Sequence, residues 1–423
     1  MTIHVVSAGE TASSIARLYG VSPQLLARQN QLPPSGELVV GQALVVLFPT
    51  QTHTVLPGDS LFSISRRYGV PVQTLLRNNY FLLGLSDLPV GEELVISLPD
   101  ESRGTLAVNG YAYPFISQAV LSQQLPYLTN LTPFTYGITP SGGLVPLGDE
   151  MLLAAAGRYG VTPWMHLSTL TEAGIFSSAL GRQLLTDPEG QAMLIQSVER
   201  TMLNKGYRGL DVDFEYLPAD LAQPYAAFIA ALRARLAPYG WPVTVAVAPK
   251  RSGDQPGLLY EGHDYPALGA AADFVLLMTY EWGYTYGPPM AVAPLPQVQQ
   301  VLSYALSVIP AEKLFLGVPT YGYDWPLPFV QGTTQAASLS PQMALALARR
   351  YGAEIQYDET AQAPWFRYRE NGRDHEVWFE DARSAQAKLD LAVNSGVRGV
   401  GLWNLMRLFP QLYLLLAGGY TIA

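Results

Sequence analysis

Three carboxylates stand at every second position of an otherwise apolar run, Gly209-Leu210-Asp211-Val212-Asp213-Phe214-Glu215-Tyr216. Alternate side chains of a β-strand share a face, so Asp211, Asp213 and Glu215 point one way and Leu210, Val212 and Phe214 the other. The apolar set implies burial on at least one side, and a carboxyl crowded by others in a partly desolvated place titrates upward. Glu215, the last of the three, can then hold its proton near neutral pH and act as a general acid. Two plainer readings compete. A row of acids can guard a solvated strand edge, and carboxylates are hard oxygen ligands for a metal. Against the first, Gly206 and Gly209 lead into the run and Tyr216, Leu217 and Pro218 lead out toward a helical pattern, as for a buried parallel strand ending in an exposed loop. Against the second, the glycine and acceptor spacing of a calcium loop are missing and no neighbouring histidine offers a transition-metal site, so no metal and no cofactor is expected.

The elements that must carry these residues follow from the rhythm of the chain. After a short polar linker at 99–104, strand-like and helix-like segments alternate, the signal of parallel βα units. Candidate strands are 106–111, 127–135, 162–167, 209–215, 243–248, 274–280, 314–320 and 399–403. Eight such units predict an α/β fold, a (β/α)8 TIM barrel, with a small inserted β-rich segment at 356–379. A hairpin is expected there, around Glu370-Asn371-Gly372-Arg373. In such barrels, catalytic groups sit at the C-terminal strand ends. That places Glu215 at the end of strand four, with Tyr280 and Trp403 at the ends of strands six and eight.

Ahead of the barrel, the chain repeats itself with a period of roughly fifty residues. His4 to Val21 aligns with His53 to Val70: Gly9 pairs with Gly58, Glu10 with Asp59, Tyr19-Gly20-Val21 with Tyr68-Gly69-Val70, and Asn30 with Asn79. Each unit reads as strand, helix, helix, strand. Thr11 and Ser60 suit N-caps, Gly20 and Gly69 suit C-caps, and Pro23 and Pro71 stand where a second helix would begin.

Composition narrows the class. A chain of 423 residues suits one large domain plus one or two small ones. Hydrophobic residues at 49% with charged residues at 14% mark a globular protein and not a disordered one. A net charge of −9 with no dense Lys/Arg run argues against a nucleic-acid partner. The absence of cysteine excludes disulfides, a catalytic thiol and thiolate metal sites. The apolar runs fall short of the roughly 20 residues of a membrane span. The first residues lack the basic start and apolar stretch of a secretory signal, so no Sec signal peptide is expected.

The two repeats, with Gly-Glu-Thr or Gly-Asp-Ser, the Tyr-Gly-Val and a closing Val40-Gly41 or Val90-Gly91, closely resemble LysM modules; the first departs at Glu10 and Ala12. The resemblance implies binding of β-1,4 glycans that contain N-acetylglucosamine, in peptidoglycan or chitin. It makes Gly9, Glu10, Thr11, Asn30, Gly58, Asp59, Ser60 and Asn79 the candidate glycan contacts. Asp211-Val212-Asp213-Phe214-Glu215, Met278-Thr279-Tyr280 and the strand ending in Trp403 resemble glycoside hydrolase family 18, over residues 104–423. Arg208 and Glu281 depart from that family's usual aspartates. The expected organisation is therefore 1–49 and 51–99 as βααβ LysM modules and 104–423 as the catalytic domain.

The domain order, with Met278 to Tyr284 and Gly317 to Trp325, is similar to bacterial spore cortex-lytic N-acetylglucosaminidases. That similarity implies a location on the spore or in the cell wall. It also implies a retaining endo-β-N-acetylglucosaminidase that cuts peptidoglycan by substrate assistance, outside the usual two-carboxylate scheme. In that scheme Glu215 is acid and base, Asp213 orients the acetamido group with Asp211 tuning it, and Tyr280 holds the acetamido oxygen. Trp403, Tyr111, Trp282, Tyr321 and Asp324 are the substrate-binding candidates, Trp403 as the floor under the sugar. A chitinase and a non-catalytic, lectin-like glycan binder are the alternatives. Trp164 and Trp325 are sugar contacts or plain core, His166 is expected to be structural, and Lys250 is expected on the rim.

Overall fold

The computed structural model describes residues 1–82, 88–171 and 176–423. Each repeat is a βααβ unit. In the first, β1 (Thr2–Val5) pairs antiparallel with β2 (Ala43–Val46) around helices Ala12–Tyr19 and Pro23–Gln29; in the second, β3 (Gln51–Thr54) pairs with β4 (Glu93–Ser97) around Leu61–Tyr68 and Val72–Asn78. The caps lie where the sequence puts them. Thr11 and Ser60 each close a capping box with a serine three residues on, and Gly20 and Gly69 end their helices in the left-handed conformation.

The barrel begins with β5 (Thr105–Ala112) and β6 (Asn130–Pro133), then a small hairpin of β7 (Gly137–Ile138) and β8 (Leu144–Val145). It continues with β9 (Thr162–Ser168), β10 (Gly209–Asp213), β11 (Val243–Val247), β12 (Phe274–Leu277) and β13 (Leu314–Pro319). Next come the inserted strands β14 (Gly322–Pro326), β15 (Ala337–Leu339), β16 (Gln356–Asp358), β17 (Ala363–Glu370) and β18 (Arg373–Trp378), followed by β19 (Gly399–Trp403) and β20 (Thr421–Ile422). Among the described residues, eight parallel strands close on themselves, because β19 pairs with both β13 and β5. Their outward side chains join the outer helices in the main core, while Ala107, Tyr111, Phe134, Trp164, Ala246, Leu276 and Phe315 fill the interior. Gly209 leaves room for this filling, since a Cβ there would meet the Trp164 ring at 2.6 Å.

Four expectations shift. Strand two is shorter than 127–135 and runs Asn130–Pro133, after a 3-10 turn at Leu125–Tyr127. Strand four ends at Asp213, not at 215, because beyond it the backbone leaves the ladder. Phe214 instead donates its N–H to the Tyr225 hydroxyl (3.3 Å), and its carbonyl accepts from His263 Nε2 (2.9 Å). Strand six ends at Leu277, where Thr279 and Tyr280 turn back through bonds to the carbonyls two residues earlier. The insertion is larger than 356–379. It is a five-stranded antiparallel sheet, ordered β15-β14-β18-β17-β16, with the helix Pro341–Tyr351. The hairpin falls at Asn371-Gly372, both at positive φ, with Glu370 opposite Arg373.

The repeats dock on the barrel. Ala43, Val45, Leu47 and Tyr80 belong to the barrel's main core, and Tyr80 stacks on Tyr413 with ring centroids 5.5 Å apart. Arg77 Nε donates to the Pro126 carbonyl (2.5 Å), and the Tyr127 hydroxyl donates to that of Arg77 (2.6 Å). The polar linker is also tied down, through Arg103 N–H to the Gly419 carbonyl (2.7 Å) and an Arg103–Asp390 ion pair (2.9 Å). Among the described residues, no helix is long and apolar enough to cross a membrane.

Candidate active site

The carboxyl row lies on β10 and the loop that follows it. Leu210, Val212 and Phe214 are fully buried in the outer core, with Phe214 stacked on Tyr225 and Phe228. Asp211 and Asp213 face the barrel interior, as the period of two requires. Asp211 Oδ2 accepts a hydrogen bond from the Tyr111 hydroxyl across the barrel (2.5 Å). His166, on β9, approaches Asp213 Oδ2 at 3.9 Å and bonds Thr135 Oγ1 through Nδ1 (2.6 Å). Burial lowers its pKa to about 3, so this contact is not an ion pair at neutral pH. His166 is thus a buried part of the wall.

Burial also dominates the carboxyls. It lifts Asp211 to about 6 against the opposing Tyr111 hydrogen bond. It pushes Asp213 well above the ordinary carboxylate range, reinforced by the charges of Glu215 and Asp211. Glu215 rises to about 7, through burial first and the charge of Glu281 second. The row therefore carries fewer than three charges at neutral pH, with its outermost member poised to give up a proton there.

The backbone just before Glu215 is held by a histidine that sequence reasoning missed. His263 Nδ1 accepts from the Ala248 N–H (2.8 Å) while Nε2 bonds the Phe214 carbonyl. Burial depresses its pKa to about 4, so it stays neutral in the one tautomer that serves both bonds. No local signal marks it, because its partner lies 49 residues away.

Asp213, Glu215, Tyr280, Trp282 and Trp403 line one cleft of about 280 Å³. Trp403 is its aromatic floor, with Phe134 packed edge-on at 4.9 Å and Tyr280 nearly parallel at 6.4 Å. Tyr113, Phe134, Phe176, Tyr260 and Glu281 also line it and were not among the predicted contacts. Tyr113 had a signal, since it shares the phase of Tyr111 two residues earlier on β5.

Several expected contacts sit elsewhere. Tyr111 is buried against Trp403 and holds Asp211, so it supports the floor from below. Tyr321 donates to the Glu281 carboxylate and lines an adjoining cleft. Asp324 accepts from Tyr368 (2.6 Å) and His375 (3.0 Å) within the inserted sheet, away from the catalytic cleft. Trp164 is stacked in the barrel interior, and Trp325 is fully buried in the insertion. Lys250 is buried, not on the rim; its ammonium donates to the carbonyls of Gly253 and His263. Arg208 lies over the Trp241 ring, outside the row.

In the repeats, Asn30 and Asn79 are buried inside their modules. Each amide bonds the carbonyl four residues earlier and both backbone groups of a closing-strand residue, Val45 or Val95. Glu10 and Asp59 accept from backbone N–H groups and from His4 or His53, which hold both below the usual carboxylate range. Gly9, Thr11, Gly58 and Ser60 are exposed on the loops before the first helices.

A closed parallel barrel, with a carboxyl row at the end of its fourth strand facing an aromatic floor from its eighth, defines a (β/α)8 glycoside hydrolase. The chain belongs to glycosyl hydrolases family 18, which matches residues 174–407, and it carries two LysM domains, matched at 4–46 and 53–97. It is 41% identical over 426 residues to the cortical fragment-lytic enzyme of Bacillus subtilis (strain 168), covering 100% of this chain and 99% of that protein. It is 33% identical to the putative sporulation-specific glycosylase YdhD of the same organism, covering 100% and 99%. The crystal structure of the Bacillus cereus spore cortex-lytic enzyme SleL matches with a TM-score of 0.85 at 37% identity, over 100% of this chain and 98% of that one. A chitinase from Chromobacterium violaceum ATCC 12472 matches with a TM-score of 0.67 at 26% identity, over 74% and 98%.

Proposed function

We propose that this glycoside hydrolase is a retaining endo-β-N-acetylglucosaminidase of spore cortex peptidoglycan, cutting β-1,4 bonds after N-acetylglucosamine with the substrate's own acetamido group as nucleophile. The observation that carries the reading is the graded row Asp211, Asp213 and Glu215 against the Trp403 floor. Glu215 gives its proton to the leaving glycosidic oxygen while the acetamido oxygen bonds C1 and the C1–O bond breaks. A water then attacks C1, reopening the oxazolinium ring, and returns a proton to Glu215. Asp213 Oδ1 has no protein partner among the described residues, which suits it to accept from the acetamido N–H and stabilise the developing positive charge. Tyr280 holds the acetamido oxygen, Asp211 tunes Asp213, and Trp403 and Trp282 receive the apolar sugar face.

Full-length similarity to enzymes named for cortex lysis supports the substrate and a place on the spore or in the cell wall. The exposed loops at Gly9 to Thr11 and Gly58 to Ser60 serve as the LysM glycan contacts, in modules 1–49 and 51–99 ahead of a catalytic domain at 104–423. A chitinase is the second reading, favoured by the likeness to the Chromobacterium enzyme over the barrel.

Glu215→Gln is the test. Hydrolysis of cortex fragments should fall by at least about a thousandfold, on the scale of removing an essential acid with no substitute, while glycan binding remains. Near-normal turnover by this variant would refute the assignment, and wild-type activity confined to chitin oligosaccharides would select the second reading.

A further inference from the structure

The two LysM modules are copies of one frame whose side chains and surroundings differ. In each, the closing turn bonds the residue after the first strand: the Gly41 N–H donates to the Val6 carbonyl and the Gly91 N–H to the Val55 carbonyl, both at 2.8 Å. This bond sets the loop before the first helix beside the closing turn. On that shared frame, Ser7, Ser13 and Val40 of the first module stand where the second has Leu56, Phe62 and Val90. The second set is open to solvent, with Leu56 53%, Phe62 65% and Val90 63% exposed. Large apolar side chains held in water around one loop are unfavourable unless something covers them. The Arg66 guanidinium lies over the Phe62 ring at 5.9 Å, so a donor stands beside the apolar surface.

The first module's turn is covered instead. Gly41 is buried and its carbonyl accepts from Arg383 Nη2 (3.2 Å), while Gln31 accepts from Gln342 on the insertion's helix (2.7 Å). Val39 belongs to the core of the inserted sheet, with Leu339, Phe366 and Val377. The same module also meets the second one, through Gln29 to the Asn78 carbonyl (2.7 Å) and an Arg28–Glu92 ion pair (3.2 Å). The second module's turn is free by comparison. Among the described residues, a Cβ at Gly91 would meet nothing within 4 Å.

We infer that the two modules divide their work: the second supplies the apolar grip on the glycan strand, and the first is chiefly a bracket that joins the insertion to the second module. A pyranose C–H face and an acetamido methyl rest on Leu56, Phe62 and Val90, and the sugar hydroxyls meet the Arg66 guanidinium. The hydroxyls of Ser7 and Ser13 only exchange water for sugar, which gains little. The inference rests on the reading of these modules as glycan binders and says which of them supplies the affinity.

The test measures cosedimentation of the full-length protein with insoluble cortex peptidoglycan. Every variant carries Glu215→Gln, so that the strands stay uncut and the cleft contributes equally throughout. Leu56→Ser with Phe62→Ser gives the second module the first module's side chains, and it should raise Kd by at least about tenfold, the scale of one large apolar contact. Ser7→Asp with Ser13→Asp, at the matching positions of the first module, should change Kd by less than about twofold. All four residues are exposed, so Tm should stay that of the parent, which separates a lost contact from a lost fold. An unchanged Kd in the second-module variant, or equal losses in both, overturns the division while leaving glycan binding by the modules standing. A parent protein that does not sediment with the peptidoglycan overturns both.

Discussion

Glu215 ionises late because burial and the nearby Glu281 carboxylate both oppose its charge. The proposed role as acid requires the proton, so kcat/KM should fall as pH rises through about 7. Glu281→Gln removes the opposing charge and lowers the Glu215 pKa, so this alkaline limb should move to lower pH; an unmoved limb would show that Glu281 does not act on the acid. Stability follows the same shift. The folded pKa lies above the ordinary value of 4.5, so the stabilisation is complete below that value and is lost as pH rises through about 7. Glu215→Gln should therefore be more stable than wild type at pH 8 by on the order of 1–3 kcal/mol, and close to it at pH 4. Thermal unfolding at the two pH values checks this, and equal differences at both would contradict it.

At the scale of elements, what was legible in the sequence was local. The period of two on β10, the caps at Thr11 and Ser60 and the Asn371-Gly372 turn are short-range signals, and each lies where the spacing puts it. What was not legible depends on distant partners. Strand four stops at Asp213 because Tyr225 and His263 take over the bonds of Phe214, and Tyr111 turns from sugar contact to support because Asp211 lies across the barrel. Asn30 and Asn79 show the same limit, since an asparagine at a helix end suits a ligand as well as a staple to a strand. As a staple, Asn79→Leu leaves the backbone groups of Leu75 and Val95 without side-chain partners. It should cost on the order of 1–3 kcal/mol in urea unfolding. Unchanged stability with lost glycan binding would instead mark Asn79 as a ligand residue.

At the scale of the molecule, the modules ride on the barrel as fixed parts. The first meets the inserted sheet at Gly41, where a Cβ would lie 1.9 Å from the Ile355 carbonyl oxygen, and the Ile355 N–H donates to the Val40 carbonyl (2.9 Å). Gly41 also has φ +84, so any side chain there is doubly disfavoured. Gly41→Leu should loosen this contact, raising proteolytic cleavage near residues 30–50 while soluble fragments are still hydrolysed; unchanged protection would mean that the docking does not depend on this approach. Docking of this kind holds the modules in one place on the barrel. The chemistry at the cleaved bond is tested most directly by hydrolysing defined cortical peptidoglycan fragments, identifying the new reducing end by mass spectrometry and following the anomer first released by NMR. N-acetylglucosamine is expected at that end, released as the β-anomer; a muramic residue at the reducing end, or an α-anomer formed first, would contradict the proposed mechanism.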